Sequence, residues 1–143
     1  MNSQSRQPEP WVPPCGPTIE LQPAGRWWDA VRVQGDVAEM ALDLLSDRSG
    51  AVIEDYFGDI SYWLVEPGAA DDWDLPGVEV RGDSCHVAVP PPLRTIGPGL
   101  HWRVPLAPSR YLTDAALLRD TLALAIDRVH GPCGADAARR AGR

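Results

Sequence analysis

The chain has 143 residues, 44% of them hydrophobic, and a formal net charge of −7 at pH 7. That is enough apolar material for one ordinary domain core, and it excludes a chain disordered from end to end. The acidic balance excludes a general nucleic-acid binder driven by counter-ion release, and no apolar run reaches membrane length.

The first residues, Met1 to Pro17, lack the basic and apolar blocks of a secretory signal, so a cytoplasmic location is expected. All 13 basic residues are arginine, and Ala, Gly, Pro and Asp are abundant, a bias of GC-rich genomes such as those of actinobacteria. Cys15, Cys85 and Cys133 are odd in number and widely spaced, which makes no disulfide framework.

Residues 1–25 are crowded with proline (Pro8, Pro10, Pro13, Pro14, Pro17, Pro23) and are expected to form an irregular arm. The folded body is expected over 26–129, followed by a disordered tail over 130–143. Within the body, Trp28 to Val33 alternates like a half-buried strand. Asp36 and Glu39 have capping-box spacing ahead of a helix that runs to Asp47, with Val37, Met40, Ala41, Leu44 and Leu45 on one face.

Ala51–Tyr56 and Ile60–Val65 flank Phe57-Gly58-Asp59 as a hairpin. Val78–Arg81 and His86–Val89 are expected to pair across Gly82 to Cys85, and Pro90-Pro91-Pro92 stops the second strand. His101–Val104 is a short strand. Thr113 or Asp114 caps a last helix to about Val129. The order predicts an α+β fold: a small antiparallel sheet of four to five strands with two flanking helices.

Gly77 to Pro91 (GVEVRGDSCHVAVPP) resembles an element of bifunctional prokaryotic primase–polymerase domains. Gly58 to Trp63, Pro67-Gly68 and Gly99 to Arg103 follow that family's order, so the resemblance covers about 50–105 and implies a primase–polymerase-like core. It also implies metal-dependent nucleotidyl transfer, with Glu79 as a later metal acid and Glu54 and Asp55 as the early pair. Two departures bear on that activity. Ile60 stands where the family has a nucleotide-contacting histidine, and adjacent Glu54 and Asp55 point to opposite faces of a strand. The resemblance therefore points to a reduced, catalytically silent relative, or to a shared hairpin architecture without descent.

Three phrases, Trp28 to Val33, Asp72 to Val78 and Tyr111 to Asp114, resemble short streptomycete proteins. Some of these are encoded beside regulators of antibiotic production and sporulation, which implies a regulatory or accessory setting.

Other chemistry is poorly supported. Cys85, His86, His101, His130 and Cys133 include no C-x-x-C pair to nucleate a zinc site, and the simpler reading is a buried Cys85 with surface histidines. Ser84, Cys85 and His86 are contiguous, the wrong arrangement for a nucleophile and its base. No cofactor is expected.

Charge is segregated along the body. Residues 54–83 hold nine acids and one base, whereas 94–143 hold eight bases and four acids. The loop 69–76 sets Trp73 among Asp71, Asp72 and Asp74. Trp73 is either an anchor for a partner or a pin folding the loop onto the body. These residues, together with Trp63, are the candidate contact set.

The expected function is therefore a non-catalytic protein acting through contact with a basic protein partner, without direct nucleic-acid or membrane binding. The alternatives are a primase-like nucleotidyl transferase and an acidic DNA-mimicking inhibitor.

Overall fold

A computed structural model describes residues 11–55, 59–107 and 110–130. Five strands form the main sheet: β2 (Asp29–Gln34), β3 (Val52–Asp55), β4 (Ile60–Val65), β5 (Val78–Arg81) and β7 (Leu100–Val104). Their order is β5-β2-β4-β3-β7, with every neighbouring pair antiparallel. A separate two-stranded ribbon pairs β1 (Glu20–Pro23) with β6 (His86–Val89). The helices are α1 (Gly35–Leu45) and α2 (Ala115–His130). The fold is α+β.

The pleat of the central strands divides the core. Val31, Val33, Val52, Trp63 and Val65 share one face and pack with Val37, Ala38, Ala41 and Leu45 of α1 and Leu118, Leu122, Ala125 and Ile126 of α2. Ala30, Ile53, Leu64 and Trp102 share the other, under Val87 and Val89 of the ribbon and beside Trp11 and Trp28. Helices therefore cover one face of the sheet and the ribbon covers the other.

Three sequence expectations change. First, the proline-rich stretch contributes to the fold from residue 11 onward. Trp11 is 5% exposed and meets Trp28 edge-on at 5.5 Å, and β1 pairs along its length with β6. Proline removes only its own donor, which an edge strand tolerates. Residues 1–10 and 131–143 lie outside the described residues, and α2 extends to His130.

Second, β5 and β6 do not pair with each other. β5 joins β2 at the edge of the main sheet while β6 joins β1, so the turn at 82–85 links two layers.

Third, α1 has no side-chain cap: it follows directly from β2, with Gln34 at the N-cap. Glu39 instead pairs with Arg103, across the 64 residues that separate them. At the second helix the expected cap holds, because Asp114 Oδ1 accepts the Leu117 N–H at 2.9 Å.

The hydrogen bond from Arg103 holds the Glu39 carboxyl below its usual range. A lowered folded value means stability that is present at neutral pH and is lost as pH falls through that value. Glu39 is 53% exposed, so Glu39→Gln is expected to cost at most about 1 kcal/mol in urea unfolding at neutral pH. The difference should disappear in acid.

Candidate functional site

The loop that carries the candidate acids leaves the sheet where β4 ends, beside Asp29, and crosses to the start of β5 at the other end, where Val78 lies opposite Val33. β2 starts at Asp29, opposite the last residue of β4, Val65, while Arg81 at the end of β5 lies opposite Ala30. The loop after β4 and the turn after β5 therefore leave the sheet on either side of Asp29.

The loop after β4 is ordered by its own backbone. Ala69 N–H bonds to Glu66 O at 3.0 Å, Asp71 N–H to Gly68 O at 3.3 Å, and Trp73 N–H to Ala70 O at 3.1 Å. Gly68 takes φ 82°, a left-handed conformation that glycine adopts without strain, and this aims its N–H inward. Asp29 Oδ2 accepts that N–H at 2.8 Å. Ala70 is buried, and Trp73 is half-buried against the helix-side core. Asp71, Asp72 and Asp74 stay exposed, and among the described residues no ion pair reaches them.

Asp29 itself is 2% exposed. Burial, above all, and the like charges of Asp71 and Asp83 push its carboxyl above the usual range, against the opposite pull of the Gly68 N–H. Gly82 packs against it from the other loop; a Cβ there would sit 3.4 Å from both carboxylate oxygens. Sequence reasoning missed Asp29 as a site residue. The signal was its parity: it shares a strand face with Val31 and Val33, a buried position for a charge.

Trp63, the remaining member of the contact set, is a correction. It is fully buried in β4, and its Nε1–H donates to Ser49 Oγ at 3.1 Å. It packs the core and offers no surface to a partner. Trp73 packs against the helix-side core and so pins the loop to the body, while part of its surface stays exposed.

Glu54, Asp55 and Glu79, the acids implied by the primase–polymerase resemblance, do not converge. Glu79 lies on β5 and Glu54 on β3, with β2 and β4 between them, a separation of roughly 14 Å at ordinary strand spacing. The register also puts Glu54 on the helix face and Glu79 on the ribbon face. Asp55 shares the face of Glu79 but is separated from it by the same two strands.

Each of the two glutamates has basic side chains beside it. Glu79 lies 3.5 Å from Arg32 and 3.2 Å from Arg81. Glu54 lies 3.1 Å from His101 Nε2 and 3.4 Å from Arg103. Among the described residues no group of three or more His, Cys, Asp or Glu side chains is arranged to hold a metal ion.

His101 was expected at the surface, yet it is 5% exposed and lines a cavity of about 390 Å³ with Glu54, Ile96, Gly97 and Pro98. Its Nδ1 lies 2.8 Å from Gly99 O, a carbonyl that only accepts, so Nδ1 donates. Its Nε2 faces Glu54 Oε1. Cys85 is half-buried and His86 exposed. No described helix is long and apolar enough to cross a membrane.

Comparison with protein-family models, with curated proteins and with solved structures finds no match to this chain.

Proposed function

We propose that this chain is a non-catalytic accessory or regulatory protein that binds a basic protein partner through the acidic loop between β4 and β5. The observation that carries the reading is the set Asp71, Asp72 and Asp74: exposed carboxylates on an ordered loop, without ion-pair partners among the described residues. Like charges held close together repel one another, and an approaching cationic surface relieves that repulsion while being steered by it. The loop is already ordered by backbone bonds and by Asp29, so binding costs little conformational entropy.

A DNA-mimicking inhibitor is the special case in which the basic partner is a nucleic-acid-binding protein. The primase–polymerase-like core and its metal-dependent transfer are less well supported, because that chemistry needs carboxylates converging on the metal ions and Glu54, Asp55 and Glu79 stand apart.

The test is fluorescence anisotropy of a labelled arginine-rich peptide titrated with the full chain. Replacing Asp71, Asp72 and Asp74 together by asparagine should weaken binding about tenfold at low salt, the sum expected of three exposed ion pairs. It should also flatten the salt dependence and leave unfolding stability within about 0.5 kcal/mol. Unchanged affinity in the triple variant would overturn the reading.

A further inference from the structure

We propose that the chain associates with a second copy of itself through the outer edge of β5, the two β5 strands pairing antiparallel about a two-fold axis at Val80. This goes beyond the contact reading above and stands or falls separately from it.

The two edges of the main sheet differ. At β7 the Trp102 N–H is taken by Arg94 O at 2.8 Å, so the loop before that strand covers part of its edge. At β5 no described strand pairs with the outer side. The Val78 N–H turns to Leu75 O at 3.2 Å, across Pro76 and Gly77, whose φ is 75°. That bond takes it away from β2. Backbone groups alternate along an antiparallel ladder, so the N–H and C=O of Val80, two residues on, also face the open edge. An edge donor and acceptor left open in this way are a template for another strand.

The residues of β5 say which strand fits. Glu79 and Arg81 share the ribbon-side face, and Val78 and Val80 share the helix side. With Val80 opposite its own counterpart, Glu79 lies opposite Arg81 of the second copy and Arg81 opposite Glu79 of the second copy. Both cross-strand pairs are then of opposite charge. Centring the axis on Glu79 or on Arg81 instead sets like charges opposite one another, so the strand selects its own register.

Glu79 has room for the new partner. Arg32 at 3.5 Å and Arg81 at 3.2 Å both lie against Oε1, and no ion pair among the described residues is made through Oε2. On the helix side the pairing closes the half-buried Val80 against its counterpart. An apolar cleft of about 150 Å³, lined by Leu75, Pro76, Ala123, Ile126 and Asp127, adjoins the start of the same strand. Four paired residues a side bury less than the roughly 1,600 Å² of a standard interface, so the dimer is weak and concentration-dependent. The net charge of −7 per chain opposes association at long range, and moderate salt screens that repulsion more than the contact pairs.

The experiment is sedimentation velocity of the full chain in moderate salt, from micromolar to near-millimolar concentration. The mass should rise toward that of two chains, and backbone amide shifts that change on dilution should centre on residues 78–82. Glu79→Arg alone and Arg81→Glu alone each set like charges opposite, and each should weaken self-association about tenfold. An equimolar mixture of the two variants should recover it, because every like-charge opposition becomes one of opposite sign. Damage to the fold alone gives no such recovery. A chain that stays monomeric throughout overturns the proposal. So do dilution shifts centred away from β5, which require no variant to fold, and single variants that associate as the unaltered chain does.

Discussion

Trp11→Ala is expected to cost about 3–5 kcal/mol of unfolding free energy, the range for truncating a large buried aromatic. Trp11 is 5% exposed, meets Trp28 at 5.5 Å and Tyr111 at 5.3 Å, and reaches Gln22 through Nε1 at 3.4 Å. Removing it uncovers the ribbon side of the sheet and leaves Trp28, already without a partner for its own buried Nε1–H, beside a void. Urea unfolding of the full chain measures the loss. A cost below about 1 kcal/mol would show that residues 11–25 only lie against a body that is stable without them.

Trp63→Ala should cost at least as much, because this side chain is fully buried where β4 meets the helices. Its register neighbours, Val31 and Val52, cannot fill the cavity, since each is already buried in its own place. Trp63→Phe separates packing from hydrogen bonding. It keeps most of the volume and removes the bond to Ser49 Oγ, for an expected loss of about 1–3 kcal/mol. Binding of the arginine-rich peptide by the folded Phe variant should match that of the unaltered chain. Weakened binding with unchanged stability would return Trp63 to the contact surface.

These two tryptophans show which parts of the fold were legible in the sequence. Where the deciding interactions are local, the reading held. The antiparallel pairing of β3 with β4 follows from two alternating strands, the expected turn residues Phe57 and Gly58, with Tyr56, lying outside the described residues, and α2 begins where Asp114 caps it.

Where the deciding partner is distant, local signals misled. The turn residues Gly82 to Cys85 suit a hairpin, yet β5 is drawn to β2 because Val78 and Val80 gain burial against the helix side. Glu39 has capping-box spacing, but it pairs with Arg103 on the opposite edge strand, β7. The prolines of residues 11–25 signal irregular chain, and nothing nearby announces that Trp11 completes a core assembled from Trp28, Tyr111 and the ribbon.

The site divided in the same way. The exposed acids of loop 69–76 were visible as a charge run beside an aromatic. Trp63 could not be assigned by alternation alone, because β4 has buried residues on both faces, Trp63 and Val65 toward the helices and Leu64 toward the ribbon. Asp29 and Asp83 join the site only because two strand ends meet over the first residue of β2, which is a property of topology.

The central claim is that the acidic loop between β4 and β5 is the binding surface. Its most direct test is a map of backbone amide shifts over the full chain as the arginine-rich peptide is added at low salt. The account predicts shifts concentrated at residues 66–74 and Asp29, fading as salt is raised. Shifts centred elsewhere, such as around Ile96 and His101 at the 390 Å³ cavity, would contradict it.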